Sequence, residues 1–108
     1  MSLASGTMLA RVDEIPEKGG KIVDVGGVSL LLTRVGGVVH AFINRCTHAE
    51  YRLEHADGRL VTQEGRYVVC HAHGASYTLD GGACAGGPCT KNLIRVPVDV
   101  RGGVVFSA

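Results

Sequence analysis

Short runs rich in valine, leucine and isoleucine alternate with paired glycines along most of this sequence. Residues 28–35 and 38–44 are two such runs, and only Gly36-Gly37 separates them. A two-residue Gly-Gly link accepts the positive φ angles that tight hairpins require, so this pair, Gly26-Gly27 and Gly102-Gly103 predict turns between antiparallel strands. The predicted strands are residues 21–25, 28–35, 38–44, 59–63, 66–70, 76–80, 93–100 and 104–107, with residues 7–12 as a candidate first strand.

The predicted fold class is all-β. No segment combines sustained helical spacing with start and stop signals, whereas turn signals recur every few residues. Many short antiparallel strands favour a small barrel or sandwich, because such folds leave few exposed edges. We expect two sub-sheets, one of them ending in functional loops. At 108 residues the chain is expected to be one domain, 1–108, since domains commonly run to about 100–150 residues.

Charge and hydropathy narrow the possible partners. The 11 Lys and Arg are interleaved with 10 Asp and Glu, which argues against the clustered basic face of a nucleic-acid-binding protein. The longest apolar run, residues 28–32, is far shorter than the roughly 20 residues that span a bilayer. Residues 1–7 lack the pattern of a signal peptide. We therefore expect a cytoplasmic protein, a monomer without nucleic acid or membrane partners.

Two short segments carry the chemistry of the sequence. Cys46-Thr47-His48 and Cys70-His71-Ala72-His73 each follow a predicted strand, and each offers one thiolate and one imidazole. A [2Fe-2S] centre of the Rieske type has one iron held by two cysteines and the other by two histidines. Arms of the form C-x-H and C-x-x-H supply that mixture of ligands.

A structural zinc ion is the main alternative, because it also accepts two Cys and two His. Zinc modules usually group Cys with Cys and His with His, whereas here both types occur in each arm. A secreted disulfide framework is a weaker alternative for the four cysteines, since the histidines between them and the missing signal peptide oppose it.

With these motifs the chain resembles the Rieske family, in which C-x-H and C-x-x-H-G arms bind the cluster and a proline-containing loop covers it. The resemblance implies a Rieske-like fold with a cluster-binding part at about 45–90. It implies that Cys46 and Cys70 bind one iron, and that His48 and His73 bind the other. Gly74 and Pro88 would lie beside the cluster. The family's cytochrome-complex members have a further cysteine in each arm, where this chain has Tyr51 and Ala72, so it resembles the soluble ferredoxin branch.

Residues beside the arms leave three further expectations. A serine and a tyrosine donate hydrogen bonds to the cluster in high-potential relatives; Ala75 and Tyr77 stand at those positions, which predicts a low to middle potential for the type. His71 competes with His73 for the ligand role, and the spacing favours His73. Cys84 and Cys89 are expected to be ordinary small residues of the covering loop, with a disulfide or a stray metal ligand as alternatives.

The function predicted from these residues and from the resemblance is that of a one-electron carrier rather than an enzyme. A Rieske ferredoxin takes electrons from a reductase and passes them to a terminal oxygenase, as in ring-hydroxylating dioxygenase systems. The remaining histidines do not suggest the separate two-His, one-carboxylate iron of an oxygenase. A small Rieske subunit of a larger redox enzyme, such as a nitrite reductase, and a zinc-stabilised binding module remain as alternatives.

Overall fold

A computed structural model of the protein describes residues 4–47 and 51–108. Ten short strands and one 3-10 helix, Val12–Glu14, make up its regular structure. The all-β prediction is therefore confirmed. The strands are β1 (Met8–Arg11), β2 (Gly19–Val25), β3 (Val28–Val35), β4 (Val38–Ile43), β5 (Val61–Gln63), β6 (Tyr67–Val69), β7 (Ser76–Thr78), β8 (Cys84–Gly86), β9 (Val98–Arg101) and β10 (Val104–Ser107).

The strands of the described residues form three antiparallel sheets, where two sub-sheets were expected. Their orders are β1-β10-β9, β2-β3-β4 and β5-β6-β7-β8. The third sheet carries the second predicted metal-ligand arm, residues 70–73, between β6 and β7. The central sheet leads into the first arm after β4.

The predicted glycine turns are confirmed. Gly26 and Gly27 have φ angles of 57° and 76°, and Gly36 and Gly37 have 59° and 79°. Such positive angles are unfavourable for residues with a Cβ, which is why paired glycines mark these hairpins. Glu64 and Gly65 make the turn between β5 and β6 in the same way.

Two strand predictions are corrected. Residues 93–100 were expected to form one strand, but β9 begins only at Val98, because Pro97 has no N–H to donate to a ladder. Arg95 forms a single bridge to Phe42 instead. Strand β8 was not predicted, since its sequence, Cys-Ala-Gly, shows no alternation. It forms by pairing with β7 through Ser76 and Gly86.

Strand β3 is buried on both faces and separates two hydrophobic cores. Leu31 faces a core shared with the four-stranded sheet, while Leu30 and Leu32 face a core shared with β1 and β10. Alternate side chains of a strand point to opposite faces, so one strand can supply both cores. The central sheet therefore lies between the other two sheets. On its Leu31 side it packs against Cys46 and Cys70, one residue from each arm.

The described residues contain no helix that is long and apolar enough to cross a membrane.

Candidate metal centre

The first arm leaves the central sheet through Asn44, a buried residue directly after β4. Its side-chain amide donates to the Ser29 hydroxyl at 3.0 Å and to Glu54 Oε1 at 2.9 Å, and its Oδ1 accepts the Leu53 N–H at 3.0 Å. Every polar group of the Asn44 amide therefore has a partner. These bonds tie the start of the arm to the chain that follows it.

Ion pairs extend this anchor to the β2–β3 hairpin. Arg52 contacts Glu54 Oε2 at 2.8 Å and Asp24 Oδ1 at 3.2 Å. Burial opposes ionisation of Glu54, but hydrogen bonds from Asn44 and Arg52 outweigh it and hold the pKa of this carboxyl below its usual value. Glu54 is therefore a charged, largely buried link between the first arm and the sheet.

Cys46, the first predicted ligand, is completely buried. Its N–H donates to the Tyr51 carbonyl at 2.6 Å, so the arm folds back on itself around the thiol. His48, the other predicted ligand of this arm, lies outside the described residues.

The second arm is a tight turn between β6 and β7. The Cys70 N–H donates to the Ala75 carbonyl at 2.7 Å, and the Gly74 N–H donates to the Cys70 carbonyl at 3.1 Å. Gly74 has a φ of +76°, which fits the predicted need for glycine directly after His73. The turn directs the Cys70 thiol inward, where it is buried, and leaves His73 exposed at the surface.

The fold brings the two predicted cysteine ligands together. Both are buried in one hydrophobic core cluster, and the two side chains are hydrogen-bonded to each other. Burial raises the pKa of the Cys70 thiol, and its contact with Cys46 raises it further. Two thiolates could not remain side by side in such a place without a cation to neutralise them.

Tyr77 lies beneath the first arm. Its hydroxyl oxygen is 3.4 Å from Cys46 Sγ and accepts the Thr47 N–H at 3.1 Å. Thr47 Oγ1 donates its own proton to the Lys91 carbonyl, so the Tyr77 proton is available to either Cys46 Sγ or Thr47 Oγ1. A negatively charged sulfur is the stronger acceptor of the two. The geometry therefore supports Tyr77 as a hydrogen-bond donor to the first thiolate.

The covering loop, residues 84–89, differs from prediction, because Cys84 and Cys89 form a disulfide. This corrects the expectation that they are ordinary small residues. Their spacing alone could not distinguish the two states, since the pairing depends on how the loop folds back. Between them Gly87, with a φ of +72°, lies so close to the second arm that a Cβ there would be 2.6 Å from the Gly74 carbonyl oxygen. Pro88 follows it as an exposed residue.

Aromatic and imidazole rings cover the outer side of the arms. The Tyr51 ring centroid is 5.7 Å from that of His73 and 6.2 Å from that of His71. His55 in turn lies 5.6 Å from His71. His71 therefore packs toward Tyr51, which follows the first arm, and lies beside the His55 imidazole.

The donor chemistry present fits a Rieske cluster. Two buried thiols converge, and an exposed imidazole follows on the second arm, which is the mixture that such a cluster needs. No group of three or more Cys, His, Asp or Glu side chains within residues 4–47 and 51–108 is placed to hold a metal ion. Sequence reasoning missed Asn44, which lies outside both motifs, and Thr47, which is the unspecified middle residue of the C-x-H arm. The roles of both appear only through contacts.

Comparison with known proteins indicates the same type of cofactor. A family model described as the Rieske [2Fe-2S] domain matches residues 5–98. The chain is 34% identical over 92 residues to the ferredoxin component of naphthalene 1,2-dioxygenase/salicylate 5-hydroxylase systems from Ralstonia sp., covering 85% of this chain and 84% of that protein.

Solved structures agree on the fold. The ferredoxin of Sphingomonas yanoikuyae B1 superposes with a TM-score of 0.77 at 27% identity, covering 94% of this chain and 96% of the other. The terminal oxygenase of carbazole 1,9a-dioxygenase from Novosphingobium sp. KA1 gives a TM-score of 0.78 at 26% identity, over 95% of this chain. The chain spans only 30% of that oxygenase, so this likeness concerns one part of the larger protein.

Proposed function

Because the chain belongs to the Rieske [2Fe-2S] family, we propose that Cys46, His48, Cys70 and His73 hold its cluster and that it transfers electrons to a terminal oxygenase. It is an electron-transfer component rather than a catalytic enzyme, like the relatives that share most of its length. When bound, the cluster takes up and gives back one electron at a time.

One observation supports this proposal above the others. The Cys46 and Cys70 thiols are 0% and 1% exposed and lie in one core cluster, although they belong to loops 24 positions apart in the sequence. Two thiols that converge at the ends of two strands can, once deprotonated, bind the same iron, as a Rieske centre requires. The Tyr77 hydroxyl beside Cys46 adds the donor that such sulfurs commonly receive.

The burial of Cys46 and Cys70 and the exposure of His73 give the proposed centre a buried and an exposed side. The cysteines lie in the core, whereas His73 is at the surface next to the Tyr51 ring. Electron transfer between proteins requires close approach of the redox groups. The histidine side is therefore the proposed entry and exit point for the electron.

The proposed partners are a reductase that supplies the electron and a terminal oxygenase that accepts it. The Ralstonia relative is named as a component of two oxygenase systems, so a ferredoxin of this kind does not by itself specify the oxygenase substrate. We propose that the chain acts as a cytoplasmic monomer. Its docking contacts are then expected to be small and transient, as weak electron-transfer complexes often are.

Spectroscopy and electron transfer test the proposal together. The purified protein is expected to contain iron and acid-labile sulfide in equal amounts, two of each per chain. When reduced, it should show the rhombic electron paramagnetic resonance signal of a Rieske centre. With a flavoprotein reductase and a Rieske oxygenase, adding the protein should start electron flow that neither protein sustains alone.

Matched variants separate the ligands from their neighbours. Cys70→Ser and His73→Ala are expected to abolish the signal, while His71→Ala and His55→Ala, which change imidazoles packed beside the arms, retain it. A colourless protein with one zinc ion per chain would overturn the proposed function. A normal signal without any electron flow would overturn the proposed partners alone.

A further inference from the structure

The Cys84–Cys89 disulfide has no role in the function proposed above. Cys46 and Cys70 supply the thiols of the metal centre, so a second cysteine pair in the covering loop needs its own explanation. The two residues are only five positions apart, and the bond closes a small ring. Closing a short loop removes little chain entropy from the unfolded state, so this disulfide contributes less to folding than one across a long loop.

Both sulfur atoms lie close to backbone carbonyl oxygens. Cys84 Sγ lies 3.0 Å from the Cys89 carbonyl oxygen, while Cys89 Sγ lies 3.2 Å from the Gly86 oxygen and 3.6 Å from the Ser76 oxygen. Sulfur in a disulfide carries no hydrogen and cannot donate to them. Two thiols could donate, because an S–H group is a weak hydrogen-bond donor. Reduction would therefore give each sulfur a hydrogen that a nearby carbonyl oxygen can accept.

The two sulfurs also differ in accessibility. Cys89 is 7% exposed and belongs to the core cluster that contains the metal-ligand cysteines, whereas Cys84 is partly exposed on β8. Cys84 is therefore the more accessible residue of the pair for an incoming thiolate. Thiol–disulfide exchange requires only one accessible sulfur.

The ring that the disulfide closes rests on the second metal-ligand arm. Gly87 packs against the Gly74 carbonyl and Ala75 Cα, at distances that leave no room for a Cβ. Gly86 pairs with Ser76, the first residue of β7. The disulfide ring thus lies at the point where the loop contacts the arm that carries His73.

From these contacts we propose that Cys84 and Cys89 form a reversible thiol–disulfide site that controls how firmly the covering loop holds the second arm. The thiolate of a reductant attacks the Cys84 sulfur, the bond between the two cysteines breaks, and the Cys89 sulfur leaves and takes up a proton. A second thiol of the reductant then attacks the mixed disulfide and releases Cys84 as a thiol. The protein gains two electrons and two protons, and the reductant is oxidised to a disulfide.

A redox titration tests the site itself. The protein with its cluster is equilibrated in buffers of reduced and oxidised glutathione, quenched in acid, unfolded and alkylated, and the alkylated thiols are counted by intact mass. Wild type is expected to change reversibly from two alkylated cysteines to four as the share of reduced glutathione rises. The Cys84→Ser/Cys89→Ser variant should give two throughout. A wild-type count fixed at two in excess reduced glutathione, or fixed at four in oxidised glutathione, would overturn the proposal.

Hydrogen–deuterium exchange tests the effect on the arm. Peptides that cover residues 70–76 are expected to exchange about tenfold faster in the reduced form and in the double variant than in the oxidised form. The paired strands β1 and β10, whose buried residues belong to the other hydrophobic core, serve as the internal control. Unchanged exchange at 70–76 after complete reduction would overturn the control of the arm.

The consequence for the cluster rests on the proposed function. A looser second arm should shorten the time for which the cluster survives in the presence of an iron chelator, again by about tenfold. If the protein contains no cluster, the proposed function fails, yet alkylation and hydrogen exchange still decide whether the thiol–disulfide site exists. If the cluster is present and its lifetime does not depend on the disulfide, only the effect on the cluster is overturned.

Discussion

The Tyr77 hydroxyl oxygen lies 3.4 Å from the sulfur of Cys46, and both side chains are completely buried. Burial raises the pKa of the Tyr77 phenol, and its contact with Cys46 raises it further, so the hydroxyl keeps its proton at neutral pH. A hydrogen bond to a sulfur ligand stabilises the more negative, reduced form of an iron–sulfur centre and raises its potential.

Tyr77→Phe is therefore expected to lower the reduction potential. Loss of a hydrogen bond worth about 1 kcal/mol in favour of the reduced state corresponds to about 40 mV for one electron. Protein-film voltammetry measures the shift directly. Tyr67→Phe, on the neighbouring strand β6, is the matched control and should leave the potential unchanged. A Tyr77→Phe potential equal to that of wild type would show that the hydroxyl does not donate to the thiolate.

At Ala75, by contrast, a substitution is expected to raise the reduction potential. It is completely buried beside the thiols, at the position where high-potential relatives have a serine donor. The wild-type potential should therefore fall in the low to middle part of the range of about −150 to +300 mV for this type of centre. Ala75→Ser should raise it. A wild-type potential near the upper end of the range would contradict the assignment.

Gly87→Ala should weaken the covering loop. The new Cβ would lie 2.6 Å from the Gly74 carbonyl oxygen, so the loop would have to move away from the second arm. We expect a loss of about 2–3 kcal/mol in the free energy of unfolding by urea, as for overpacked cores.

Gly103→Ala is the control that measures the cost of backbone strain without a close contact. Gly103 has a similar φ of +75°, but nothing lies within 4 Å of a Cβ placed there. Only the positive φ then opposes the substitution, at a cost of about 1 kcal/mol. If both variants lost the same free energy of unfolding, Gly87 would not be in close contact with the second arm.

Asn44→Ala should destabilise the first arm from a position that no motif marks. The substitution leaves the Leu53 N–H without its acceptor and removes the amide donor from Glu54. Buried groups that lose their partners cost about 1–3 kcal/mol, which urea unfolding can resolve. The control is Asn92→Ala, an exposed residue that accepts the Cys84 N–H, with an expected loss below that of Asn44→Ala. The reverse order would contradict the anchoring role of Asn44.

Stability should depend on the ionisation of Glu54. Its pKa is lowered in the folded protein because hydrogen bonds from Asn44 and Arg52 outweigh the opposing effect of burial. A carboxyl with a depressed folded-state pKa stabilises the fold above its unfolded-state pKa of about 4.5, and this contribution is lost as pH falls through the folded-state value. Glu54→Gln should therefore be less stable than wild type at pH 7 and lose less stability on acidification. Parallel curves for the two proteins in urea titrations from pH 7 to 3 would refute this.

Local sequence patterns predicted most of the hairpins. They also singled out Cys46 and Cys70, which the fold brings together in one core cluster. Gly36-Gly37 can be read as a turn because the positive φ is a property of the residues themselves. Cys46 and Cys70 were recognisable because each is paired with a histidine at short spacing. In both cases the signal lies within a few residues of sequence.

Features that depend on tertiary contacts were not predictable. Strand β8 exists because β7 offers it an edge, and the Cys84–Cys89 disulfide exists because the loop returns to the same place. The anchoring role of Asn44 depends on Ser29, Leu53 and Glu54, which contact its side-chain amide only in the folded protein. No short-range pattern encodes such partners.

The central claim is that two cysteines and two histidines, one of each per arm, hold a [2Fe-2S] cluster. Electron–nuclear double resonance on the reduced protein with ¹⁵N-labelled histidine tests it most directly, because it counts the imidazole nitrogens bound to iron. We predict two such nitrogens in wild type and in His71→Ala, and none in any cluster that remains after His48 and His73 are both replaced by Cys. A wild-type spectrum without histidine nitrogen, or one that changes with His71 rather than His73, would contradict the account.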